Sequence, residues 1–299
     1  MSLIGQPGDP AAVRCLTLDD VAATYVVDGK LTMRPAAFFP DIPSGYWSTR
    51  PELCTATGDL VMSAGGLLVE RAGTTLLIDA GIGAMTRDFA IFRVDSGSLL
   101  DVLDAIGCRP EDIDVVAFTH LHFDHAGWAY ANGDKTFPNA RYVVAAKEWA
   151  PYESGEHRAD ATTPRHVISQ LAVDRSRIEL IEDGDEIVAG VHAVVTPGHT
   201  PGHTSYVITS RAGQRLVVLG DAFHSTAQLT HPEWLSVADS DASGVISARR
   251  RLLAELAEPD TLGFGFHFGD QPFGRVITDA GGETGWEPVP TSALAAPPR

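Results

Sequence analysis

The chain has 299 residues, with 39 Asp and Glu against 22 Lys and Arg and a formal net charge of -17. That balance argues against a nucleic-acid or anionic-membrane surface and favours a small neutral or cationic substrate. Hydrophobic content of 44% beside 20% charged residues is that of a folded protein with a substantial core.

No apolar run approaches the roughly 18 residues of a membrane span, and Met1 to Gly8 lacks a basic start followed by an apolar segment, so the expected location is the cytoplasm. The three cysteines, Cys15, Cys54 and Cys108, are odd in number and show no C-x-x-C spacing. They read as reduced thiols, against a disulfide framework and against a thiolate zinc site.

Residues 1–57 are interrupted by Pro7, Pro10, Pro35, Pro40, Pro43 and Pro51, which break any long periodic element. A strand is expected at Val21 to Val27, and the whole stretch reads as an N-terminal arm packed on a main domain over 58–279. Its aromatic residues Phe38, Phe39, Tyr46 and Trp47 are either packing or part of a pocket wall, packing being the commoner role. Two strands, Leu60 to Glu70 and Thr74 to Ile78, join through the turn Arg71-Ala72-Gly73. Asp79 follows, before Gly81 and Gly83, as a turn cap or as support for a neighbouring site. Leu99, Leu100, Leu103 and Ile106 keep helical spacing, ending at Gly107.

The run Asp114 to Phe118 then reads as a buried strand, and it leads into Thr119-His120-Leu121-His122-Phe123-Asp124-His125-Ala126-Gly127. Four metal-binding side chains fall within six residues of that stretch. His120 and His122 are two apart and share one side of extended chain, while Asp124 and His125 follow as the backbone turns. One cation is unsuited to all four, so the spacing points to two neighbouring metals rather than to a solvated histidine-rich loop.

Beyond it, Ala140 to Ala145 is expected as a strand and a helix begins near Lys147. Residues 151–176, with His157 and His166, are polar and irregular. Ile178 to Ile181 and Ile187 to Val195 read as a second pair of strands, repeating the earlier plan and ending in Thr196-Pro197-Gly198-His199-Thr200-Pro201-Gly202-His203. Strands Ser205 to Thr209 and Leu216 to Leu219 deliver Gly220-Asp221. Val245, Ala248, Leu252, Leu253 and Leu256 mark an amphipathic helix stopped by Pro259, and a strand Thr261 to Phe266 ends in His267. The segment 280–299, rich in Gly, Pro, Ser and Ala, is expected to be a fraying tail.

Seven ligands divide between two divalent cations: His120, His122 and His199 for one, Asp124, His125 and His267 for the other. Asp221 bridges, because a carboxylate has two oxygens for two cations. Nitrogen and oxygen donors without thiolate suit zinc first, with manganese, iron or cobalt as alternatives. Two such ions about 3.5 to 4 Å apart hold a bridging hydroxide at neutral pH, with Asp124, or a group near it, passing the proton to the leaving oxygen.

The order H-x-H-x-D-H, T-P-G-H-T-P-G-H, L-G-D and a late His resembles the metallo-β-lactamase superfamily over about residues 60 to 278. The resemblance implies one α/β (α+β) domain, a four-layer αββα sandwich with the metals at one edge, and a role for His203 in holding its loop. True β-lactamases of this fold carry Cys or Ser where this chain has Asp221, and di-iron oxygen-handling members commonly have an acid where it has His122. The remaining likeness is to acyl-homoserine lactonases and the related organophosphate hydrolases. Those lactonases tend to place Tyr three residues after the bridging Asp, where it polarises the substrate carbonyl. Here that position is His224, which is either a donor in the same role or a structural residue. The expected function is therefore a dinuclear hydrolase of a small ester-like substrate, a lactone first and an organophosphate triester second. An iron-dependent redox enzyme, such as a sulfur-compound dioxygenase, is the alternative. Phe38, Phe39, Trp47, Phe223 and Trp234 suggest an apolar pocket, and a homodimer stays open.

Overall fold

The computed structural model describes residues 2–155, 162–173, 178–278 and 281–294. Two sheets stack face to face, each covered on its outer side by helices. The larger runs, in spatial order, Ser2–Leu3, Thr291–Leu294, Val13–Leu18, Val21–Met33, Leu60–Arg71, Thr74–Ile78, Val115–Ala117, Arg141–Ala145 and Ile178–Ile181. Met85–Asp88 and Phe92–Ser96 extend it along the far end of Val21–Met33. The second sheet runs Glu186–Val188, Val191–Val195, Thr204–Thr209, Arg215–Val218, Thr261–Phe264, Phe273–Thr278 and Thr284–Pro288.

Alternation along the strands sets the layers, since successive side chains face opposite ways. Leu76, Ile78, Val115 and Ala117 point inward and meet Val191, Ala193, Tyr206 and Val218 of the other sheet in one buried core. Leu77 and Val116 point outward, beneath Leu99, Val102 and Leu103 of the helix Leu99–Ala105. On the opposite side Val194, Val207 and Val217 are covered by Leu252 and Leu256 of the helix Ala242–Leu256. Asp241 caps that helix, its side chain accepting from the Ser243 amide, and Pro259 follows its end. The result is the expected four-layer αββα sandwich.

Several elements differ from the sequence reading. The strand expected at Val21 to Val27 continues to Met33 through a register shift between Val27 and Gly29. Residues 13–33, read as part of an arm, are two strands hydrogen-bonded into the larger sheet. Ile178–Ile181 does not pair with the strands that follow it; it lies parallel to Arg141–Ala145 at the edge of the larger sheet. Of the segment read as a fraying tail, Thr284–Pro288 and Thr291–Leu294 pair as strands. His157 lies outside the described residues. Among the described residues, no helix is long and apolar enough to cross a membrane.

The loops that carry the candidate metal donors share one edge of the sandwich because each follows the C-terminal end of a strand. Thr74–Ile78 and Val115–Ala117 run parallel, as do Arg215–Val218 and Thr261–Phe264. Asp79, His120 to His125, Asp221 and His267 thus leave the sheets on the same side.

Candidate metal centre

The seven sequence-selected ligands converge in two groups, His120, His122, His199 and Asp221, and Asp124, His125, His267 and Asp221, with ligand atoms within 4.8 Å of one another in each. The two oxygens of Asp221 are divided between them. Its Oδ1 lies 3.1 Å from both His125 Nε2 and His267 Nε2, and its Oδ2 lies 3.4 Å from His199 Nε2 and 3.8 Å from His120 Nε2. Asp124 Oδ2 stands 3.7 Å from His125 Nε2 and 3.9 Å from His267 Nε2.

The outer nitrogens fix which atom each imidazole turns inward. His120 Nδ1 meets Thr119 Oγ1 at 3.0 Å, His125 Nδ1 meets Asp79 Oδ2 at 2.7 Å, His199 Nδ1 meets Asp239 Oδ1 at 3.2 Å and His267 Nδ1 meets the Ser63 carbonyl at 2.8 Å. With an N–H at each Nδ1, all four present the Nε2 lone pair to the centre, the usual outer support of a metal-binding histidine. His122 is turned the other way and presents Nδ1, 3.0 Å from His199 Nε2.

This donor set fits metal ions. His199 Nε2 is also 3.2 Å from His120 Nε2, so three lone pairs crowd at spacings close to the ~3.3 Å between two nitrogens on one tetrahedral zinc. Inward-facing atoms His125 Nε2 and Asp221 Oδ1 are buried without a hydrogen bond, an arrangement that costs free energy unless a cation satisfies both. Burial, with repulsion from His125 and His122, pushes His120 well below its ordinary range and keeps it neutral. For His125 and His267 burial acts downward too, but Asp221 and Asp124 outweigh it and hold both above their ordinary range, so a cation entering this group displaces a proton from each Nε2 to reach its lone pair.

Supporting residues are precise in their tasks. Asp79 adopts a left-handed φ of 63°, a conformation tolerated by Asp. Its Oδ1 accepts from the Thr119 amide at 2.7 Å and its Oδ2 from Thr119 Oγ1 at 2.7 Å. Of its two sequence readings, then, the structure favours support of the neighbouring site. His203 Nε2 accepts from the Asp221 amide at 2.8 Å, while its Nδ1 meets Thr196 Oγ1 at 2.8 Å. Burial holds that imidazole down to about 3, so it stays an acceptor. Gly220, at φ +55°, passes so close that a Cβ would lie 2.4 Å from His203 Nε2, which requires glycine there.

His224 Nε2 lies 3.2 Å from Asp221 Oδ2, its Nδ1 has no hydrogen-bond partner, and the Phe38 ring stands 5.2 Å away. Phe38, Phe39 and Trp47 pack with Met62 and Phe123 in an apolar cluster beside the site, with Trp234 against it. Phe223 does not join them: it is fully buried under the helix Ala242–Leu256. His192 is exposed, His231 pairs with Glu233 at 3.3 Å, and His166 Nε2 meets the Gly127 carbonyl at 3.2 Å. All three cysteines are free.

Four buried charges escaped the sequence reading. Asp239 holds His199 and is itself held by Arg249, whose guanidinium also donates to the carbonyls of Ala222, Pro232 and Trp234. Glu148 spans two of the site loops. Asp28 accepts from the amides of Ile82, Gly83 and Leu99 and from Trp128 Nε1. Only Asp28 carried a signal, an acid directly after the apolar run Tyr25-Val26-Val27.

Comparison with known proteins agrees with this architecture. An N-acyl homoserine lactonase of Bacillus sp is 32% identical over 126 residues, 42% of this chain and 45% of that protein. The chain spans about half the length of the curated relatives it matches. Among solved structures, a hydrolase AbOPH in the beta lactamase superfamily aligns at TM-score 0.78 and 26% identity, over 93% of this chain and 98% of that one. AidC, a dizinc quorum-quenching lactonase, aligns at TM-score 0.81 and 21% identity over 96% and 100%, a likeness of fold. With residues 66–265 matching its family pattern, the chain belongs to the metallo-beta-lactamase superfamily.

Proposed function

We propose that this chain is a dinuclear metal-dependent hydrolase of a small ester-like substrate, a lactone first and an organophosphate triester second. The observation that carries the reading is Asp221, whose two oxygens face two separate donor groups. His120, His122 and His199 would hold one cation and Asp124, His125 and His267 the other, with zinc suited to these nitrogen and oxygen donors.

Two bound cations supply a nucleophile at neutral pH and polarise a carbonyl or phosphoryl oxygen. The protein's own groups supply the rest. Asp124 is 8% exposed, within reach of substrate, and its carboxylate carries the proton to the leaving oxygen. His224 stands at the junction of the two groups, where Nε2–H can donate to the substrate oxygen in place of the Tyr of related lactonases. Phe38, Trp47 and Phe123, backed by the fully buried Phe39, would wall this side with apolar surface, which excludes water and selects a neutral substrate with an apolar substituent. The lactone preference is supported by the lactonase relatives.

Proton release by metal-replete protein on lactones, carboxyl esters and phosphotriesters, beside a chelated sample, tests the reading. Acid production from one class, lost on chelation, is expected. Silence across the panel together with oxygen uptake by iron-loaded protein would transfer the assignment to an iron-dependent redox enzyme.

A further inference from the structure

Glu148 is not among the metal-facing residues, yet its carboxylate reaches both histidine-bearing loops of the first group. It lies in the first turn of the helix Ala146–Ser154 and is 3% exposed. Its Oε1 accepts from the Leu121 amide at 3.0 Å, and Leu121 sits between His120 and His122 in sequence. Its Oε2 accepts from Thr200 Oγ1 at 2.6 Å and from the Gly202 amide at 3.1 Å, and Thr200 follows His199 directly.

The backbone is shaped to this contact. A Cβ on Gly202 would fall 1.9 Å from the Glu148 amide nitrogen, so the loop rests on the helix with no room for a side chain. Burying a carboxylate is costly unless donors satisfy it, and here all three donors belong to the loops that carry His120, His122 and His199. The second group hangs from other anchors, Asp79 on His125 and the Ser63 carbonyl on His267.

We propose that Glu148 is a positioning residue that sets the separation of the His120/His122 loop from the His199 loop, and so governs metal affinity at the three-histidine position alone. The proposal rests on reading the two donor groups as metal positions. Glu148→Gln keeps the side chain's size but replaces one acceptor oxygen with an NH₂ group, which cannot accept from both loops. Thr200→Val keeps shape and removes a single donor.

Both variants and the wild-type protein are stripped with chelator and titrated with zinc against a competing indicator, and separately with cobalt while its visible absorption is followed. Wild type is expected to take up two ions. Glu148→Gln is expected to keep one site at wild-type affinity and to weaken the other roughly 10- to 100-fold, with loss of the cobalt band of the three-histidine position. Thr200→Val is expected to weaken the same site by less. Equal weakening of both sites, or unchanged affinity in both variants, overturns the proposal while leaving the metal reading intact. Wild-type protein binding fewer than two ions overturns both.

Discussion

The two halves of the candidate metal centre use different means to place their donor atoms. The three-histidine half is assembled from loops of different sheets and braced by side chains from outside them, Glu148 against both loops and Asp239, backed by Arg249, against His199. His122, at its outer side, is half-buried. The Asp124 half is tied directly to the strand ends: Asp79 directly follows Thr74–Ile78, and Ser63 lies within Leu60–Arg71. It also carries one carboxylate more. The first half relies on imidazoles placed by remote supports, the second on charge placed by the sheet itself, and Asp221 couples them.

Substitutions can break this division. Asp221→Ala removes the one ligand common to both halves, so loss of both metals and a fall in hydrolysis beyond the roughly 100-fold typical of outer partners is expected, measured by metal analysis and turnover. Arg249→Ala strips Asp239 of its buried cation and takes a donor from the Ala222 and Pro232 carbonyls, a loss of about 3 to 5 kcal/mol for a broken buried pair, read by denaturant unfolding of metal-replete protein. Arg249→Lys should recover part of it, since an ammonium cannot reproduce the planar fork. Asp79→Asn sharpens the comparison from the other side. An amide cannot accept from the Thr119 amide, Thr119 Oγ1 and His125 Nδ1 together, so metal affinity should fall about 10- to 100-fold at the Asp124 half and by less at the three-histidine half, which Asp79 reaches only through Thr119, in competitive zinc titration. His192→Ala, on an exposed position of the second sheet, should leave metal content unchanged and stability within about 0.5 kcal/mol.

The sequence exposed the candidate metal donors because chelation demands rare residue types at short spacing. His120, His122, Asp124 and His125 follow one strand, and His199, Asp221 and His267 each follow another. Their supports were hidden for the opposite reason. Glu148 and Asp239 are acids without a motif, Arg249 opens an ordinary run of three arginines, and the groups they brace lie far off in sequence: Glu148 and Thr200 are 52 residues apart. Local patterning also misjudged connectivity. Ile178–Ile181 looks like the first member of a hairpin, but its partner is the parallel strand Arg141–Ala145, across a connection that leaves no mark in hydropathy. The strand at Val21 ran past its expected end because Asp28, a polar residue directly after an apolar run, is buried and fully bonded rather than a stop. Phe223 was grouped with pocket aromatics by composition, and only the direction of the chain after Asp221 places it in the other core.

The strand Val21–Met33 lies between Val13–Leu18 and Leu60–Arg71, yet the superfamily match begins at residue 66, inside one of its neighbours. The unit of recognisable ancestry is therefore not the unit of folding. A fragment trimmed to the matched residues would present Leu67 and Val69 on an open sheet edge, stripped of Ala23 and Tyr25 beside them in the core, and would release the loop at Ile82 and Gly83 from Asp28. Such an edge is a template for aggregation, so transplanting this metal centre into another scaffold has to carry the N-terminal strands with it.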